Sequence, residues 1–183
     1  MTEIADRYRR IAGEFTARVE QVPDDRWDDP APCEGWVTRD VVGHLVEWLP
    51  AFFFEPWDLE PGERPTVDDD PVTAWASVNA VIQAALDDPA LAITVRDTHM
   101  GARSFEQCFD MIGTNDVFLH TWDISRAAGL DETLDPDEVH TLLTQMEPMD
   151  DVLRQSGQYG PRVAVPDDAD EQTKLLAFIG RHV

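Results

Sequence analysis

Basic residues are scarce in this chain. Fourteen lysines and arginines face 37 aspartates and glutamates in 183 residues, a formal net charge of −23 at pH 7. Lys174 is the only lysine. Non-specific nucleic-acid binding needs a basic face that releases counterions, and docking on anionic lipid needs a polybasic segment. Both partner classes are excluded. Cysteine is nearly as rare. Cys33 and Cys108 lie far apart, form no CxxC or zinc-ribbon spacing, and are expected to be two small buried thiols in a reducing compartment. No stretch approaches the roughly 18 apolar residues that span a bilayer. The longest apolar patch, Trp48 to Phe54, is short and broken by Pro50. The stretch Met1 to Asp6 is charged and lacks the apolar run of a signal peptide. The expectation is a soluble, cytoplasmic protein with neither nucleic acid nor membrane as partner. What the chain does have is core material: 43% of its residues are hydrophobic, enough for one domain over residues 1–183.

Periodicity divides that domain into helices. Ile4, Tyr8, Ile11, Phe15 and Val19 recur at helical spacing, which predicts a first amphipathic helix from Thr2 to Val22. Residues 23–37 are irregular. Thr38 is a plausible N-cap for a second helix with Val41, His44, Leu45 and Trp48 on one side, limited by Pro50. A proline-rich, acidic connection from Glu55 to Asp70 is either a surface loop over the bundle or a lid. A third helix runs from Pro71 to about Asp88, and residues 93–103 suggest an extended excursion or short hairpin. Ser104 with Gln107 forms a capping box that opens a fourth helix, which Gly129 stops. A fifth opens at Asp135-Pro136 and reaches about Gln155 with a bend at Pro148; a short helix over 170–179 closes the chain. The pattern is an all-α bundle.

Polar residues on faces that should be apolar locate the candidate chemistry. Cys108, Ile112, Asp116 and His120 stand four apart on the fourth helix, so they share one stripe, with Asp123 three further on. Carboxylate-x-x-x-His lets both side chains converge on one ion from a single helix. His44, among Val41, Leu45 and Trp48, supplies a third ligand from the second helix. Three protein ligands leave an open coordination position, as catalytic sites do. The same residues also admit plainer readings: His44 as a hydrogen-bonded core histidine, Asp116 and His120 as a chance pair on a solvated helix. Asp123 is either a partner that orients an imidazole or a surface acid. Cys108 is too far along the helix to ligate with Asp116, and His99 and His140 are expected to be exposed.

The segments Pro32-Cys33-Glu34-Gly35-Trp36 and Asp40-Val41-Val42-Gly43-His44-Leu45 together resemble the first signature of the DinB/YfiT-like superfamily. Their nearest likeness is the mycothiol-dependent maleylpyruvate isomerase N-terminal branch. Asp116 to Ile124 resembles the second signature, and the ending from Tyr159 to Arg181 is similar to that of short, single-domain actinobacterial members. The resemblance implies a four-helix bundle of DinB/YfiT type, to which the pattern along the chain adds extra short helices and a small hairpin. The resemblance also implies a divalent metal, zinc before nickel, held by His44, Asp116 and His120; the spacing of Asp123 would let it orient His120. The acid is often glutamate in that branch. Its isomerases also carry a second, C-terminal domain, which is not expected after Val183.

The resulting expectation is an enzyme that activates a low-molecular-weight thiol such as mycothiol for transfer to, or isomerisation of, a small electrophile. Phe52, Phe53, Phe54 and Trp57 would either wall the substrate pocket or fill the core. A metal-assisted hydrolase using bound water and a non-catalytic, stress-associated metal-binding bundle are the alternatives. A homodimer through an exposed helix face is compatible with the bundle, with no residue pointing to it.

Overall fold

Why the second helix runs past its proline is visible in a computed structural model of the chain, which describes residues 2–183. Met1, the first residue of the charged N-terminal stretch, lies outside them. The order begins α1 (Glu3–Gln21), α2 (Thr38–Phe53), α3 (Pro71–Asp87), α4 (Pro89–Ala92), β1 (Val95–Thr98) and β2 (Gly101–Ser104). It continues α5 (Phe105–Met111), α6 (Gly113–Ala128), α7 (Pro136–Met146), α8 (Asp150–Gln155) and α9 (Glu171–Phe178). Pro50 cannot donate the amide hydrogen that would normally reach the Val46 carbonyl. Arg64 donates to that carbonyl instead, Nη2 to O at 3.1 Å, so α2 continues to Phe53.

The chain forms two compact units, one up to Asp131 and one over Glu132–Val183. In the first, α1 packs on α3 and α6, and α2 packs on the same two helices, so α1, α3, α2 and α6 close a four-helix ring. Its centre is aromatic: Tyr8, Phe15, Phe53, Trp75, Phe105 and Phe109 are fully buried. Two of these rings carry polar atoms that are paired, the Tyr8 hydroxyl donating to Asn79 Oδ1 at 2.7 Å and Trp75 Nε1 to Thr16 Oγ1 at 2.8 Å. Such pairing offsets the desolvation that an orphaned buried donor would suffer. The Glu55–Asp70 connection is a loop that returns along α2. Trp57 is buried with Nε1 donating to the Thr94 carbonyl, and Arg39 pairs with Asp68. The hairpin expected over 93–103 is present, with Val95 opposite Ser104 and Thr98 opposite Gly101. The fold is therefore all-α, a four-helix bundle with extra short helices and one small hairpin.

Two boundaries differ from the sequence expectation. Thr38 is the first helical residue rather than the cap; its hydroxyl donates to the Asp29 carbonyl, and Asp40 reaches back to accept from the Val37 amide at 2.8 Å. The fourth helix is two helices. The capping box at Ser104 and Gln107 opens α5, but Ile112 departs from helical geometry at φ −129° and ψ −57°. The Phe109 ring lies where a side chain on residue 113 would begin, 2.8 Å from an ideal Cβ. Only glycine permits that approach. Gly129, at φ 70°, ends α6 in the left-handed conformation expected of it.

In the second unit, Asp135 caps α7 through the amides of Asp137 and Glu138, with Pro136 at the first turn. Pro148 lies in a 3-10 turn between α7 and α8, the expected bend. α7 packs on α9, and the guanidinium groups of Arg154 and Arg162 lie over the Phe178 ring. No helix among the described residues is long and apolar enough to cross a membrane.

Candidate metal centre

Packing of α2 against α6 brings His44 to face Asp116 and His120. His44 Nε2 lies 3.1 Å from Asp116 Oδ2, and His120 Nε2 lies 3.5 Å from Asp116 Oδ1. One donor atom from each of the three lies within 4.8 Å of the other two. Zinc binds nitrogen and oxygen at about 2.0–2.2 Å, which sets ligands of one ion about 3–4 Å apart. The His44–Asp116 and His120–Asp116 spacings of 3.1 and 3.5 Å lie in that range, so the three side chains are candidate ligands for one small divalent cation, and two imidazoles with one carboxylate suit zinc or nickel alike. His44 and Asp116 side chains are about one quarter exposed (28% and 24%), whereas His120 is buried. The cluster thus opens to solvent on one side.

Neighbouring groups hold each donor. Asp123, one turn beyond His120 on α6 and fully buried, accepts from His120 Nδ1 at 2.8 Å. A carboxylate can only accept, so His120 carries its proton on Nδ1 there and turns Nε2 to the cluster. Trp48, one turn after His44 on α2, donates Nε1 to Asp116 Oδ2 at 2.7 Å. Trp36, from the α1–α2 loop, covers the rings of both histidines, 5.1 Å from His44 and 5.8 Å from His120 between centroids. Cys33 on the same loop reaches Asp123 Oδ2 at 3.5 Å.

The electrostatics follow from this crowding. Burial alone would lower the pKa of His120. The Asp116 charge, then the hydrogen bonds with Asp123 and Cys33, outweigh it and push His120 up to about 10 in the absence of an ion. Burial works to raise Asp116, but the His120 charge, the His44 contact and the Trp48 hydrogen bond together hold its carboxyl below the ordinary range. The cluster without an ion is a tightly coupled acid–imidazolium pair, the charge arrangement a divalent cation would replace.

All four residues singled out by spacing, His44, Asp116, His120 and Asp123, are brought together. Cys108 is not; it sits on α5 against the Thr98 hydroxyl, with burial raising its thiol pKa. His140 is exposed and pairs with Glu171, and His99 is exposed beside the Phe52 ring. Phe53, Phe54 and Trp57 are buried in the core. Only Phe52 of that run is half-buried and close to the cluster, 5.2 Å from Trp48. The roles of Trp36, Trp48 and Cys33 escaped the periodicity. Trp48 carried one usable signal: an indole N–H on a buried-looking face needs an acceptor, and Trp48 is one turn from His44. A surface depression of about 590 Å³ beside α2, lined by Val46, Glu47, Arg64 and Thr66 among others, includes none of the donors.

The sequence model of the mycothiol maleylpyruvate isomerase N-terminal domain family matches residues 8–125, a span that includes Cys33, Trp36, His44, Trp48, Asp116, His120 and Asp123. No curated protein and no solved structure matches the chain.

Proposed function

Since the chain belongs to the mycothiol maleylpyruvate isomerase N-terminal domain family, we propose that it is a divalent-metal enzyme with His44, Asp116 and His120 as ligands. Its reaction activates a low-molecular-weight thiol of the mycothiol class for transfer to, or isomerisation of, a small electrophile. The observation that carries this reading is the convergence of those three donors within 4.8 Å on a partly exposed face. Zinc is the expected ion and nickel the next. When bound, the ion supplies Lewis acidity that favours the thiolate over the thiol at neutral pH.

The chain's own residues prepare that chemistry. Asp123 fixes the ring of His120, and Trp48 fixes the carboxylate of Asp116. Holding the donors before anything binds lowers the cost of organising them later. His44 and Asp116 retain solvent contact, so a small molecule can reach them. Trp36 and Trp48 are half-buried beside His44 and offer flat apolar surfaces that limit water at the donors. Three protein donors rather than four is the ligand number of catalytic sites.

The test is incubation of metal-loaded protein with a panel of low-molecular-weight thiols and a library of small electrophiles. A thiol-dependent product, absent with His120→Ala, is expected. Electrophile turnover that is independent of any thiol, or none at all, would overturn the reading.

A further inference from the structure

The α1–α2 loop touches His120 from two directions. Trp36 lies against the face of its ring, nearly parallel at 22°. Three residues earlier, Cys33 is buried at 8% exposure, and its thiol donates to Asp123 Oδ2 at 3.5 Å. The same oxygen accepts His120 Nδ1–H at 2.8 Å. A fully buried carboxylate needs donors around it, because an ion taken out of water without partners costs several kcal/mol. Two donors converge on this single oxygen, so its position responds to both.

We propose that Cys33 is a positioning residue: its thiol anchors the Asp123 carboxylate, which fixes the His120 ring with Nε2 turned toward Asp116 and His44. The consequence for metal affinity rests on the reading of His120 as a ligand. The hydrogen-bond chain itself stands on the protein's own geometry. A competing arrangement exists, because Cys33, His120 and Asp123 also offer donor atoms within 4.8 Å of one another. An ion there would have to displace both the thiol proton and the Nδ1 proton. The 2.8 Å spacing of Nδ1 and Oδ2 is that of a hydrogen bond. Two ligands of one zinc stand about 3–4 Å apart. The geometry favours the hydrogen-bond chain.

A hydroxyl can replace the thiol as donor and a methyl cannot. Wild type, Cys33→Ser, Cys33→Ala and Asp123→Asn are therefore compared by cobalt(II) titration against a chelator and by NMR of the metal-free proteins. The wild type should bind one cobalt without a thiolate-to-cobalt charge-transfer band. Removing a group that orients a metal-bound histidine costs about 10–100-fold in affinity. Asp123→Asn should fall in that range, and Cys33→Ala, which removes the weaker thiol donor and leaves the carboxylate in place, should lose about fivefold. Cys33→Ser should return to within about twofold of wild type. In metal-free protein the His120 Nδ1 proton should exchange slowly in wild type and Cys33→Ser, and faster in Cys33→Ala.

Equal affinity and equal proton exchange in wild type and Cys33→Ala would overturn the proposal. A cobalt–thiolate band or a second equivalent of ion lost with Cys33→Ala would overturn it too, by making Cys33 a ligand. Wild-type protein that binds no cobalt would overturn the metal reading alone, and the Nδ1 proton exchange would then decide the positioning role by itself.

Discussion

Replacing Trp48 with phenylalanine isolates one hydrogen bond at the proposed metal centre. The indole Nε1 donates to Asp116 Oδ2 at 2.7 Å, a short, charge-assisted contact. Hydrogen bonds to charged groups contribute about 1.5–3 kcal/mol when well shielded. The Asp116 side chain is 24% exposed, so water can partly replace the lost donor, and the effect belongs at the lower end. About 1.4 kcal/mol corresponds to a tenfold change in affinity. Phenylalanine keeps the ring that meets Phe52 and Phe53 at 5.2 and 5.5 Å, so the fold should lose little. The expected result is a roughly tenfold weaker zinc Kd by chelator competition, with the thermal midpoint of the metal-free protein within about 3 °C of wild type. An affinity within twofold of wild type in a folded variant would refute the claim that Trp48 holds Asp116 for the ion.

Other perturbations probe the same framework. His120 in the metal-free protein has its pKa raised to about 10, above its unfolded value of about 6.5. Its stabilising contribution is therefore complete below about pH 6.5 and is lost as pH rises toward 10. Denaturation midpoints of chelator-treated protein should fall across that window and flatten in His120→Gln; equal slopes in the two proteins would contradict the assignment. An ion must displace that proton, so zinc affinity should rise with pH over the same range. Arg64→Ala should destabilise the protein by about 1–2 kcal/mol by orphaning the Val46 carbonyl that Pro50 cannot serve. In a Pro50→Ala background the residue-50 amide can supply that bond, so the same substitution should cost much less by chemical denaturation. Equal costs in both backgrounds would remove Arg64 from that role.

The legible part of the fold was whatever repeats along one helix. Asp116, His120 and Asp123 stand at four- and three-residue intervals, so a single α6 carries them to one face, and the sequence places them there without tertiary information. His44 was legible because an imidazole among Val41, Leu45 and Trp48 is out of place on an apolar face. The break at Ile112 was not, since it depends on the Phe109 ring closing over Gly113, a contact that periodicity cannot see. Arg64 rescuing the α2 turn at Pro50 is equally non-local, eighteen residues from its acceptor. Cys33 and Trp36 sit on an irregular loop, where spacing does not encode direction, and their approach to His120 follows only from the loop's path across the bundle. Trp48 looked like core because its ring is apolar; its N–H is what ties it to Asp116.

The proposed site of His44, Asp116 and His120 takes one divalent ion, which metal content measures directly. Protein stripped of metal, then dialysed against limiting zinc, should retain about one equivalent by inductively coupled plasma mass spectrometry, the number a single three-donor site takes. The His120→Ala and Asp116→Ala variants, folded by circular dichroism, should retain far less. Equal, sub-stoichiometric zinc in wild type and both variants would contradict the account.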